Sequence, residues 1–125
     1  MAAPLTPASF WILTALADER LHGYDIMREA AEVSGGAVEL KITTLYAALE
    51  RLDRQGLIRP DGEEIVDGRA RRYFRVTDQG VDALTAEITA LESMALAARA
   101  RLARSTPVFA PRPAAGAPVA TAAAW

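Results

Sequence analysis

Apolar residues recur at spacings of three and four in the first third of the chain, which is the pattern of amphipathic helices. Thr6 followed by Pro7 favours a helix start, because threonine caps well and proline at the first helical position loses no hydrogen bond. The predicted inward face is Phe10, Leu13, Leu16 and Ala17, with Trp11 and Ile12 beside them. A second helix is predicted to open at His22 and to end at residues 34–36. Its predicted inward face is Tyr24, Met27, Ala31 and either Ala30 or Val33.

The middle of the chain combines a third amphipathic helix with a hairpin. A short edge strand is predicted at residues 37–40, and the helix follows it with Thr43 or Thr44 as its cap and Gly56 as its stop. The predicted buried face of this helix is Leu45, Leu49 and Leu52. Residues 57–59 and residues 64–66 are predicted to be extended and to flank a turn at residues 60–62, and residues 72–77 are predicted to form the next strand. Asp67-Gly68, a pair typical of tight hairpin turns, lies between residues 64–66 and that strand.

A long apolar repeat fills the last helix, which Thr77 or Asp78 would cap. Its members alternate spacings of three and four, as in a heptad seam: Val81, Leu84, Ile88, Leu91, Ala95, Ala98 and Leu102. Such a helix is too long for the small preceding domain to bury all of its apolar positions, so the pattern favours a homodimer seam. The alternative is that the helix folds back on its own domain. Residues 105–125 are rich in alanine and proline and predict a disordered tail, in which Phe109 and Trp125 have no assigned role.

The predicted fold is therefore mainly α with a small β-hairpin, in the order helix, helix, helix, hairpin, long helix. This is the order of a winged helix-turn-helix followed by a C-terminal dimerisation helix. Residues 5–77 are predicted to form the winged helix-turn-helix, residues 78–104 the dimerisation helix and residues 105–125 the tail.

Composition excludes several function classes. The chain has 125 residues, no cysteine and one histidine, His22, so disulfides, thiolate zinc sites and His-rich metal sites are not expected. No glycine-rich phosphate loop and no paired carboxylates at a recognisable spacing occur, so neither an enzyme nor a cofactor is expected. The longest apolar run, residues 10–17, is interrupted only by Thr14 and is far shorter than the roughly 20 residues of a membrane span. A cytoplasmic location without a membrane partner is the expectation.

The net charge of −2 argues against a nucleic-acid partner, but its distribution does not. Residues 1–40 carry 2 basic and 6 acidic side chains, whereas residues 41–76 carry 8 basic and 6 acidic ones. Within the second range, residues 67–75, hereafter the wing, contain four arginines and one acid. The basic excess therefore coincides with the predicted third helix and hairpin.

These two elements are where a winged helix-turn-helix contacts double-stranded DNA, with the second helix of the motif in the major groove. Hydroxyl groups at a helix start and forked arginine side chains both suit phosphate oxygens. The predicted DNA-binding residues are Lys41, Thr43, Thr44, Tyr46, Arg54, Arg69 and Arg71. Base readout is unassigned: Ala47 would touch only a thymine methyl group, and Glu50 would accept from cytosine.

Each assignment has a simpler alternative. Arg72 and Arg75 have a structural role, or pairing with Glu63 or Glu64, as an alternative to DNA contact. For the others, the threonines would only cap the helix, Tyr46 would only pack, and the charge cluster of the wing would be a solvated face. The chain would then be a winged-helix protein-interaction module that does not bind DNA. For His22, a structural hydrogen bond at a helix start is favoured over a pH-switch role. Trp11 is interpreted as a core aromatic rather than an effector contact.

Three segments in register resemble the PadR family of bacterial transcriptional regulators. They are residues 21–26 (LHGYDI), residues 44–49 (TLYAAL) with Leu52 and Gly56-Leu57-Ile58 after them, and residues 71–77 (RRYFRVT) with Gly80 after them. The resemblance covers about residues 10–80. It implies a winged helix-turn-helix, a homodimer built by the C-terminal helix, and repression of nearby genes, relieved in some members by a small ligand.

This chain departs from the family pattern at two places. Ile42 and Thr43 stand where the family commonly has Pro-Gly, and Ala47 stands where it commonly has proline. The resemblance implies that relatives binding planar drugs in a dimer pore would use aromatic residues of the last helix, and residues 78–104 contain none. A drug pore of that kind is therefore not expected, and a small-molecule effector of unknown identity is left open as a partner.

Overall fold

The computed structural model describes residues 4–105 of the chain. Their elements, in order, are α1 (Pro7–Ala15), β1 (Leu21–His22), α2 (Gly23–Val33), α3 (Ile42–Arg54), β2 (Ile58–Val66), β3 (Arg69–Val76) and α4 (Asp78–Arg104). The predicted fold class, mainly helical with a small hairpin and a long C-terminal helix, is confirmed. Of the predicted disordered tail, residues 106–125 lie outside the described residues.

Two compact units make up the chain, and their boundary lies within α4. The first unit ends at Ser93 and contains the three strands, α1 to α3 and the beginning of α4. The second begins at Met94, and its described residues, up to Ser105, are all exposed. None of the helices within residues 4–105 combines the length and the hydropathy that crossing a bilayer requires.

The core of the first unit lies between α1, α2, α3 and the inner face of the sheet. Burying a leucine or isoleucine completely stabilises a fold by about 1.5–3 kcal/mol, so these side chains dominate its stability. The largest fully buried side chains are Ile12, Leu13, Leu16, Ile26, Leu45, Leu49, Leu52 and Ile58. The predicted inward face of α3 is thereby confirmed, and Ala48 also belongs to it.

The inward face predicted for α2 is correct only in part. Met27 packs against the core, and Ala30, one of the two alternatives for the last position, is fully buried. Ile26, which was not predicted, is also fully buried, whereas Tyr24 is 61% exposed and Val33 is 46% exposed. The two faces have equal spacing, and the close approach of α3 decides between them. A Cβ atom on Gly23 would lie 3.2 Å from Tyr46 Oη, so α2 presents its smallest residue to α3 and turns its tyrosine outward.

The buried face of α1 also differs in part from the predicted one. Its start is as predicted, because Thr6 is the N-cap and its Oγ1 accepts from the Ser9 N–H at 3.1 Å. Phe10 and Trp11 are only half-buried, with their rings edge to face at 5.0 Å between centroids, and Ala17 is exposed. Trp11 is therefore not the core aromatic that was predicted. The buried residues of α1 are Ser9, Ile12, Leu13 and Ala15.

The sheet contains one strand, β1, in addition to the two strands of the predicted hairpin, and its position was not predicted. Strand β1 pairs antiparallel with β3, Leu21 opposite Phe74 and His22 opposite Tyr73, which gives the strand order β1-β3-β2. The strand predicted at residues 37–40 is wrong, since these residues form no strand. Two residues are too few for a periodic signal, so β1 is not visible in the sequence.

Strand β2 runs through the turn predicted at residues 60–62. Pro60 lies opposite Phe74 and Glu63 lies opposite Arg72, so β2 contains one extra residue, a β-bulge. Gly62, with φ of +96°, supplies the backbone conformation that the bulge requires. The predicted turn is therefore a kink within a continuous strand.

The hairpin turn between β2 and β3 is as predicted. Asp67 and Gly68 have φ angles of +50° and +75°. Positive φ at both central residues defines the tight turn whose twist matches that of antiparallel strands. This turn places the arginines of the wing at the tip of the hairpin.

Thr77 connects the sheet to α4. Its Oγ1 accepts from the Gly80 N–H at 3.0 Å, as an N-cap side chain does, and its hydroxyl donates to the Gly56 carbonyl at 2.6 Å. The predicted cap is thus confirmed. Gly80 is buried against the segment after α3, and a Cβ atom there would overlap the Leu57 carbonyl oxygen.

Candidate nucleic-acid interface

Residues 41–44, at the start of α3, are exposed. Lys41 is the N-cap residue, and no side chain caps the helix. Thr43 and Thr44 lie in the first helical turn, so their predicted capping role is wrong; the extended backbone of Lys41 starts the helix earlier than either threonine. Within residues 4–105, neither threonine hydroxyl has a hydrogen-bond partner, and both are exposed. Both are free to contact a ligand at the positive end of the helix.

Two arginines of the wing form no ion pair within residues 4–105. Arg69 and Arg71 are exposed and lie on one face of β3, because alternate strand residues share a face. Neither side chain has an ion-pair or hydrogen-bond partner among residues 4–105. Their positive charges are therefore available to an anion.

Arg72 has a different environment. Its guanidinium carbon lies 5.4 Å from the centre of the Phe74 ring, which supports a partly structural role. Glu63 lies opposite it in the strand register, but the two form no ion pair within the described part of the chain. Arg75, the other arginine considered for pairing, has no ion pair there either.

A cleft joins the start of α2, the start of α3 and the wing. It has a volume of about 340 Å³. Strand β1 covers only Tyr73 and Phe74 of β3, so residues 69–72 border the cleft with an uncovered strand edge. The lining combines aromatic, aliphatic and cationic groups: His22, Gly23, Tyr24, Ile42, Tyr46 and Arg69 to Arg72.

The predicted site residues fall into two groups around this cleft. Tyr46, Arg69 and Arg71 line it, which brings α3 and the wing together as predicted for one surface. Lys41, Thr43, Thr44 and Arg54 are exposed on or beside α3 but do not line the cleft. The Arg54 guanidinium is 2.9 Å from Glu50 Oε1, a pairing within the helix that the sequence pattern did not predict.

Sequence reasoning missed two exposed apolar residues of the cleft, Tyr24 and Ile42. Tyr24 belongs to the predicted core face of α2, and Ile42 lies in the first turn of α3 at 52% exposure. For Tyr24, the only available signal was the neighbouring Asp25, which indicates that this side of α2 is polar. For Ile42, the signal was its departure from the family pattern.

Arg20 fixes the base of the hairpin. Its Nη1 donates to the Asp61 carbonyl at 2.6 Å, and its guanidinium carbon lies 4.3 Å from the centre of the Tyr73 ring. The first contact holds the bulge of β2 and the second holds β3. Arg20 thereby ties both strands of the hairpin to the segment before β1.

His22 makes a hydrogen bond at the start of α2, as predicted. It is the N-cap of α2: its Nδ1 accepts a long bond from the Asp25 N–H at 3.5 Å, and its Nε2 lies 3.0 Å from Asp25 Oδ2. The residue is 7% exposed, and its ring packs edge to face on Tyr73. His22 thus connects the sheet to the helix start that borders the cleft.

We expect His22→Ala to lower the free energy of unfolding by about 1–2 kcal/mol, because the variant loses the cap of α2. His22→Asn should recover part of this loss, since asparagine is a good capping residue but does not replace the buried ring. Urea unfolding at fixed protein concentration measures both changes. Equal stability of wild type and His22→Ala would contradict the structural role.

The chain is similar in sequence to known transcriptional regulators. A sequence profile described as "Transcriptional regulator PadR-like family" matches residues 12–86. Transcriptional regulator Rv3488 of Mycobacterium tuberculosis is 40% identical over 88 residues, which cover 67% of this chain and 75% of that protein.

Two solved structures are also similar. A PadR family transcription regulator from Clostridium difficile R20291 has a TM-score of 0.63 at 24% identity, covering 78% of this chain and 99% of that one. Bacillus subtilis PadR in complex with operator DNA has a TM-score of 0.57 at 26% identity. The second match covers 64% of this chain and 45% of that one, so it spans less than half of the Bacillus protein.

Proposed function

Because this chain belongs to the PadR-like family of transcriptional regulators, we propose that it is a homodimeric, sequence-specific DNA-binding repressor with a pseudo-palindromic operator. Membership in this family also agrees with the prediction that the chain is not an enzyme. The ligand proposed is operator DNA because a solved relative, Bacillus subtilis PadR, is in complex with it. No effector is part of the proposal.

The observation that carries the proposal is the joint exposure of the start of α3 and the wing on either side of one cleft. Arg69, Arg71 and Lys41 have no acidic partner among residues 4–105 and supply positive charge despite the net charge of −2. Thr44 adds a free hydroxyl group at the helix start, and Thr43 beside it is exposed as well. This combination suits a phosphate backbone, with α3 in the major groove and the wing beside it.

Dimerisation through α4 is supported by its uncovered apolar positions. In the first unit, Leu84 packs against the core, but Val81 is 46% exposed and Ile88 is 40% exposed. In the second unit, Leu102 is 71% exposed, and Ala95 and Ala98 are exposed too. Side chains at heptad spacing that the chain itself leaves uncovered suit a second copy of the helix. A two-fold dimer would present its two recognition helices about 34–36 Å apart.

Replacing Arg69 and Arg71 together with alanine is expected to weaken operator binding and to lower its salt dependence. Removing one arginine–phosphate interaction reduces the slope of log K against log salt by about 0.9. Gel shifts with the DNA upstream of the chain's own gene, at several salt concentrations, measure both quantities. The double variant should show a slope smaller by roughly two.

The matched control is Arg104→Ala, which removes an exposed arginine on the side of α4 opposite the heptad seam and should leave the slope unchanged. An unchanged slope in the double variant would exclude the wing from the interface. Absence of any selective DNA binding by the wild type would instead favour the protein-interaction module. A reporter gene placed behind the bound fragment tests repression: expression should fall when the chain is present.

A further inference from the structure

The buried residues of α3 define which of its side chains point farthest from the body. Leu45, Ala48, Leu49 and Leu52 face the core. The opposite row, at spacings of four, three and four, contains only exposed residues: Thr43, Ala47, Glu50 and Arg54. In the proposed complex this outer row is the part of α3 that meets base edges.

The two charged members of this row partner each other. Arg54 Nη1 and Glu50 Oε1 are 2.9 Å apart, and both side chains are largely exposed. An arginine held by a glutamate is less free to approach guanine or phosphate. The other two residues of the row, Thr43 and Ala47, have no such partner. They are therefore the members of the row that remain available to contact a base.

Both positions offer methyl groups. Ala47 has only its Cβ, and Thr43 has a methyl group and a hydroxyl group. Thr14 and Thr85 of this chain donate to backbone carbonyls four residues earlier, at 2.8 Å each, but Thr43 makes no such bond. Its side chain is thus uncommitted among the described residues. In the major groove, thymine is the base that displays a methyl group, and small apolar side chains contact it.

We propose that Thr43 and Ala47 determine specificity by contacting the C5-methyl groups of thymines in each operator half-site. The inference rests on the proposed function, because it requires α3 to lie in the major groove. The two residues are one helical turn apart, about 6 Å along the axis. The thymines they contact therefore lie within about two base pairs of each other.

The test begins with duplexes that the full chain selects from a random-sequence pool. Each thymine of the selected half-site is replaced by deoxyuridine, which keeps the base pair and the O4 acceptor and removes only the methyl group. Binding to the wild type should weaken about fourfold at each of two positions, the effect of leaving one methyl group unburied. Thr43→Ser should abolish this penalty at one position, and Ala47→Gly should abolish it at the other.

Thr43→Val is the matched control, since it removes the hydroxyl and keeps a methyl group; it should retain the penalty. Ala47→Gly weakens the helix by about 1 kcal/mol, so binding is measured well below its melting temperature. Tight selective binding without any deoxyuridine penalty, or penalties that persist in both variants, would overturn the inference and leave the proposed function standing. If the pool yields no preferred sequence, the proposed function fails, and this inference fails with it.

Discussion

Gly80→Ala is expected to lower the free energy of unfolding by about 3 kcal/mol and the melting temperature by more than about 10 °C. The new Cβ would overlap the Leu57 carbonyl oxygen and would lie 2.6 Å from Val76 Cγ2. The oxygen belongs to the backbone and accepts from the Thr77 N–H at 3.0 Å, so it cannot move without breaking that bond. The start of α4 and the Thr77 cap must therefore shift away from Leu57 and Val76.

Gly35→Ala is the matched control for this prediction. Gly35 has φ of +64°, and nothing lies within 4 Å of a Cβ atom built there. That variant should lose only about 1–2 kcal/mol, the cost of a side chain in the left-handed region. Thermal unfolding at one protein concentration compares the two, because dimerisation would make stability depend on concentration. Equal losses would mean that the overlap at Gly80 relaxes at no cost.

The sequence predicted the elements that strong local rules determine. The cap at Thr6, the Asp67-Gly68 turn and the buried leucines of α3 follow from capping, positive φ and helical spacing, all within a few residues. The face of α2 was predicted only in part, with Tyr24 turned inward and Ile26 missed, because two faces had the same spacing. Tertiary contact between Gly23 and Tyr46 chooses between them, and no local pattern contains that contact.

The sheet also depends on tertiary contacts that no local pattern contains. Strand β1 exists because residues 21–22 meet Tyr73 and Phe74, about 50 positions later in the chain. The bulge in β2 reads locally as a turn, since Pro60 and Gly62 are turn residues. Only the pairing with β3 makes it a continuous strand. Pairing between distant segments is therefore what sequence reasoning lacked here.

Part of the arrangement at the candidate site was predictable from the sequence, and part was not. It selected Tyr46, Arg69 and Arg71, and the structure places these three around one cleft. It did not find Tyr24 and Ile42, because their exposure depends on how α2 and α3 pack. It also did not anticipate the Glu50–Arg54 pair, which changes the availability of a predicted DNA-binding residue.

Leu91→Glu is expected to convert the proposed dimer to monomers at tens of micromolar chain. Leu91 is half-buried at a heptad position of α4, between Ile88 and Ala95. In a dimer the glutamate would lie in a dry seam without a partner, and burying an unpaired charge is costly. Light scattering measures the decrease in mass directly. Operator affinity should fall by about 100-fold or more, because the two half-sites would be bound independently.

Ala86→Glu is the control, since it adds the same charge on the opposite, exposed side of α4 and should leave the dimer intact. Thermal unfolding of both variants separates dissociation from misfolding: the core of the first unit does not include Leu91, so the Leu91→Glu monomer should still unfold cooperatively. A wild-type chain that scatters as a monomer would refute the dimer itself. If Leu91→Glu remains dimeric, the partner helix contacts another face of α4, and the heptad seam does not form the interface.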